Sequence, residues 1–136
     1  MNQSKVSERY YLFEDVLWEA PSFAPLKAKK RIRDLVALAE LVWVSERGRG
    51  PCPTVRGIGM APASDFTYPA KRGAPGRIRL ASHHQSLGGL LHELAHALGP
   101  HDKQTHGPAF RKRAIHLYKT YGGWSGEIDF DKKGQK

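Results

Sequence analysis

Two histidines stand four residues apart, and a glutamate directly follows the first: His92-Glu93-Leu94-Ala95-His96, an HExxH pattern. On an α-helix, residues i and i+4 share a face and lie about 6 Å apart along the axis. Two imidazoles so placed can converge on one metal ion through nitrogens at about 2.0–2.1 Å. Glu93 then points to the flank of the ion, where a bound water would sit. Zinc lowers the pKa of such a water to about 7, and a carboxylate beside it takes the proton as hydroxide attacks a carbonyl. His92 and His96 are therefore read as metal ligands, Glu93 as general base and Zn2+ as the cofactor.

A five-residue pattern can arise by chance on a partly exposed helix, so its setting matters. Leu87, Leu90, Leu91, Leu94 and Leu98 give the motif helix an apolar back and leave the histidines on another face. Gly88 and Gly89 cost helix propensity but allow a neighbouring element to approach closely. A catalytic zinc site also needs a third protein ligand and one open position. Asp102 stands where the pattern HExxHxxGxxH/D would place that ligand, with Gly99 as its glycine. His101 is the neighbour of Asp102, His106 precedes the last helix, and Glu127 could act as a carboxylate ligand from farther on. The metzincin form of the longer pattern needs a methionine turn after the motif, whereas Met1 and Met60 both precede it.

The segment HELAHALGPHDKQTHGPAFRKR, residues 92–113, resembles the SprT-like (Spartan-type) zinc metallopeptidases. Their signature is HExxH, a loop of variable length, and then HGxxF, matched here by His106-Gly107-Pro108-Ala109-Phe110. The resemblance implies His106 as third ligand, with Phe110 anchoring the final helix in the core. It also implies a zincin-like α+β fold and a protein substrate. Members of this family often carry a C-terminal zinc ribbon or DNA-binding extensions. This sequence has neither, and so looks like a compact, core-only member.

The elements that must position these residues follow from periodicity. Val6, Tyr10, Phe13 and Leu17 mark a helix over 4–20, stopped by Pro21. A second helix is expected over 25–44, with Ile32, Leu35, Val36, Ala39, Val42 and Trp43 on its apolar stripe and Lys27, Lys29, Lys30, Arg31 and Arg33 opposite. SERGRGPCP (45–53) breaks the pattern. Three strands are expected, over Thr54–Met60, Asp65–Ala70 and Gly76–Ser82. In the third, Ile78 and Leu80 face one way and Arg77 and Arg79 the other. PAKRGAPG (69–76) is a loop or hairpin connection. That third strand is expected beside the substrate cleft. The motif helix should run over 85–98, and a last helix over 107–121 with Phe110, Ala114, Leu117 and Tyr121 as its apolar face. The whole, 1–136, reads as a single α+β domain whose residues 125–136 form a partly ordered tail.

Composition sets the outer limits. At 136 residues and 40% apolar, the chain can bury one modest core. No apolar run approaches the 18–20 or so residues of a membrane span, and the N-terminus lacks a signal-peptide core. The single cysteine, Cys52, excludes an internal disulfide and fits a cytoplasmic location. A net charge of +9 favours acidic partners, so non-specific nucleic-acid contact is a secondary expectation, through Lys27–Arg33 or Arg111, Lys112 and Arg113. His83 and His84 read as a solvated strand end and His116 as a surface residue. Trp18, Trp43 and Tyr121 read as core. Tyr118 could reach the site and stabilise an oxyanion.

Two functions compete with peptide hydrolysis. A non-catalytic binding module could keep zinc as a closed structural staple with four protein ligands. A basic DNA-binding protein could carry its histidines incidentally.

Overall fold

The computed structural model describes residues 16–100 and 106–126, and these form a mixed α+β arrangement. Most of the first expected helix, residues 4–15, lies outside that range, as does the tail from 127. Residues 16–19 are helical, and Leu17 is buried. No described helix is long and apolar enough to cross a membrane.

The second expected helix is divided. A 3-10 turn, Pro21–Phe23, leads into a single helical turn, α1 (Ala24–Lys27), and the longer helix α2 (Ile32–Ser45) begins five residues later. Between them Ala28 and Arg31 are extended, with ψ of 135° and 147°. Lys29 bridges to Ser86, and the Lys30 N–H donates to the Gln85 carbonyl. Pairing with a distant segment overrides the local helical pattern, which periodicity cannot register. The basic run Lys27–Arg33 is therefore spread over a turn, a bridge and a helix start instead of one helix face. Leu35, Ala39, Val42 and Trp43 of α2 are buried as its stripe requires.

The sheet has three short strands, β1 (Thr54–Gly57), β2 (Asp65–Thr67) and β3 (Arg77–Leu80), in the order β1-β3-β2. β1 runs parallel to β3, with Val55 opposite Ile78, and β2 runs antiparallel to it, with Phe66 opposite Ile78. Ile78 and Leu80 are fully buried and Arg77 and Arg79 exposed, as the alternation demands. The link from β2 to β3 is the expected hairpin. β3, however, lies in the middle, so the expectation that it borders the cleft is corrected. Its neighbours β1 and β2 are the sheet's edges among the described residues.

Helix α3 (Leu87–Ala97) carries the HExxH motif, and α4 (Pro108–Gly122) closes the described chain. Ser86 caps α3, its hydroxyl accepting from the Gly89 N–H at 3.1 Å. Gly107 and Pro108 open α4, and Gly123 ends it in the left-handed conformation, φ 68°. α3 packs on α4, on α1 and on both β2 and β3. Leu90, Leu91 and Leu94 are fully buried, so the apolar back of the motif helix forms the centre of the core. The core face of α4 is Phe110, Ala114, Leu117 and Tyr118. Tyr118 takes the place expected of Tyr121, because Phe23 and Trp124 meet its ring edge-to-face at 4.9 and 6.3 Å.

Candidate metal centre

His92 and His96 project from one face of α3, and His106 stands one residue before the N-cap of α4. The close packing of α3 on α4 brings all three together: one ligand nitrogen from each lies within 4.8 Å of the others. The Nε2 atoms of His92 and His106 are 3.3 Å apart. Two nitrogens each 2.0–2.1 Å from a tetrahedral ion are separated by about 3.3–3.4 Å. The spacing and the donor chemistry therefore fit a metal ion.

The surroundings favour a neutral donor set. His96 is 6% exposed and His106 8%. Burial, followed by the neighbouring charges of His92, His106 and Arg113, pushes the His96 imidazole down to about 3. It stays unprotonated at neutral pH and presents a lone pair, as a metal ligand must. The Arg113 Nε donates to the Ala95 carbonyl at 2.9 Å, tying α4 to the motif helix one residue before His96.

Phe110 holds the cluster from beneath. It is 3% exposed, stacks on His96 with centroids 4.3 Å apart and planes at 25°, and meets His106 edge-to-face at 4.8 Å. The anchoring role expected of it is what the packing displays. Glu93 is also buried, at 6% exposure, on the turn between the two motif histidines. His101, Asp102 and Glu127 lie outside the described residues.

Other expected residues are placed elsewhere. Tyr118 is wholly buried in the core, so its proposed oxyanion role is corrected. Tyr121 is half-buried, and its hydroxyl donates to Glu46 Oε2 at 2.6 Å. His116, exposed as expected, shares that carboxylate at 3.0 Å. Burial raises the Glu46 carboxyl, but the bonds from Tyr121 and His116 bring it net below its ordinary value. His83 is exposed, whereas His84 is half-buried, with its Nδ1 2.8 Å from the Ser64 hydroxyl. The solvated-end reading therefore holds for His83 and fails for His84. Its partner lies twenty residues away in a loop, a relation that sequence spacing does not carry.

A cavity of about 700 Å3 opens beyond the C-terminal end of α3. Trp43, Glu46, Phe66, Tyr68, Arg113 and His116 are among its walls, but none of the three clustered histidines is. The metal-binding chemistry resides in the donor cluster and not in that hollow. No protein-family model, curated protein or solved structure matches this chain.

Proposed function

We propose that the protein is a zinc-dependent peptidase of zincin-like fold with the SprT-like ligand arrangement. The observation that carries this reading is the convergence of His106 on the two HExxH histidines, with a buried glutamate between those two in sequence. His92, His96 and His106 would hold the ion as three imidazole ligands, and a catalytic zinc site keeps one further position open for water or substrate. When bound, zinc supplies Lewis acidity for a carbonyl and lowers the pKa of a water to about 7. Glu93 takes the proton of the attacking water and delivers it to the leaving amine nitrogen. His92, His96 and His106 hold the reacting centre in place, and Phe110 fixes the histidine planes. β2, an edge strand packed against α3, offers backbone groups to an extended protein substrate. A net charge of +9 favours work near nucleic acid, and the single cysteine fits a cytoplasmic location.

The test is Glu93→Gln. This variant should keep the zinc content of the wild type and lose cleavage of an unfolded protein such as casein by about 100-fold or more. Normal cleavage by Glu93→Gln, at full zinc content, would show the mechanism to be wrong. Zinc retention with no cleavage by the wild type would favour the closed, structural site.

A further inference from the structure

The hollow beyond the C-terminal end of α3 has a chemistry that the metal centre does not use. Its floor is apolar: Trp43, Phe66, Tyr68 and Leu117 line it, with the Phe66 and Tyr68 rings edge-to-face at 4.9 Å. Its rim is basic, formed by Arg47, Arg49 and Arg113. Glu46, the carboxylate among its described walls, is taken by the Tyr121 hydroxyl and the His116 ring. Among the described residues no carboxylate pairs with Arg47 or Arg49.

The turn that carries two of these arginines is held firmly. It follows α2, and Arg47 adopts a left-handed φ of 56°, which costs a residue with a side chain about 1 kcal/mol relative to glycine. A side chain on Gly48 would meet the Trp43 ring at 2.1 Å, and the Trp43 Nε1 donates to the Gly50 carbonyl at 2.9 Å. The backbone of the turn thus lies on the indole, and Arg47 and Arg49 both border the hollow. Arg113 is fixed as well, its Nε donating to the Ala95 carbonyl.

The complement of such a hollow carries apolar side chains on one side and carboxylates on the other. The sequence contains such a segment, Glu127-Ile128-Asp129-Phe130-Asp131, which lies outside the described residues. In an extended chain alternate side chains face opposite ways, so Ile128 and Phe130 would share one side and the three carboxylates the other. The described chain ends close enough for this segment to reach. Gly126 lies against the Lys119 side chain, where an added Cβ would meet Cε at 2.6 Å. Lys119 is one helical turn from His116, a wall of the hollow. From Gly126, four residues span up to about 13 Å.

We propose that residues 127–131 dock in this hollow of their own chain, with Ile128 and Phe130 on the aromatic floor and the carboxylates against Arg47, Arg49 and Arg113. The docking needs no metal and stands apart from the peptidase reading.

Isotope-labelled full-length protein tests this by NMR. The Phe130 ring should give nuclear Overhauser contacts to the Trp43, Phe66 or Tyr68 rings. Charge reversal on the rim, Arg47→Glu with Arg49→Glu, should abolish them, and so should Glu127→Lys with Asp129→Lys and Asp131→Lys. The second set leaves the hollow's own residues unchanged, so it decides the matter even where the first unfolds the chain. Both sets together should restore the contacts. A Phe130 ring without contact to the hollow in the wild type overturns the docking. So do contacts that survive the second set, or that fail to return in a folded variant carrying both. Contacts found only between labelled and unlabelled copies would seat the tail of a second copy there, and also overturn docking within one chain.

Discussion

The Nε2 atoms of His92 and His106 stand 3.3 Å apart although one belongs to the middle of α3 and the other to the threshold of α4. Nothing local requires that approach. It follows from α4 packing along α3 through Phe110, Ala114 and Leu117, with Phe110 lying under the histidine rings. Three buried or half-buried imidazoles at one point repel one another when protonated. A metal cation would bind the neutral rings through their lone pairs in place of those protons.

Metal should therefore stabilise the folded chain. A ligand bound by the native state alone adds about 2.7 kcal/mol at a hundredfold excess over its Kd. Zinc added to chelator-treated protein should raise the melting temperature by several degrees, and His92→Ala should abolish the response. An unchanged melting temperature on zinc addition would contradict the account.

Phe110→Leu separates the anchor from the ligands. The smaller side chain should cost about 1–2 kcal/mol in a denaturant titration. Loss of the stack on His96 should also loosen the ligand geometry and weaken zinc about tenfold, as altered support of a ligand usually does. A competitive chelator assay reads the second effect. Lower stability with unaltered zinc affinity would show that Phe110 packs the core without positioning the histidines.

Gly89→Ala tests a close approach. Helix propensity alone favours alanine by about 1 kcal/mol. The new methyl would stand 2.0 Å from the His84 carbonyl oxygen, a backbone atom with little room to yield. The clash should win, with a net loss of about 1–3 kcal/mol by thermal or chemical unfolding. A stabilised variant would mean that the Ser82–His84 turn gives way freely.

Acid should destabilise the metal-free protein in a defined window. The folded-state pKa of His96 is about 3 because of burial, then the charges of His92, His106 and Arg113, against an ordinary value of 6.5. Above about 6.5 the ring is neutral in both states, and it contributes no slope. Between 6.5 and 3 the unfolded chain binds the proton and the folded one does not. Stability should thus fall as pH falls, by up to about 1.4 kcal/mol per unit. Denaturant titrations of apo-protein at pH 7.5 and 5.5 measure it, and His96→Ala should flatten the slope. Equal stability at both pH values would contradict the burial of a neutral His96.

Much of the helical framework can be read from periodicity. The α2 stripe, the apolar back of α3, the alternation of β3 and the glycine and proline bounds of α4 are local features, and local features set them. What sequence spacing cannot supply is pairing between distant segments. The Lys29–Ser86 bridge splits an otherwise continuous helical pattern, and the parallel β1–β3 ladder puts the best alternating strand in the middle. Tyr118 displaces Tyr121 from the core because Trp124, just beyond the end of α4, folds back on it, its Nε1 donating to the Ser22 hydroxyl at 3.0 Å. At the site, His92 and His96 are legible from i, i+4 spacing alone. His106 needed the family resemblance, since the loop before it fixes no distance. His84 reads from its position as a solvated strand end, because its link to Ser64 joins segments that spacing does not relate.

The most direct test is metal content per chain in the wild type and in His106→Ala, purified side by side and reloaded with zinc. The account predicts about one zinc per chain in the wild type and little or none in His106→Ala. A wild type that holds no zinc, or a His106→Ala that holds as much as the wild type, would contradict it.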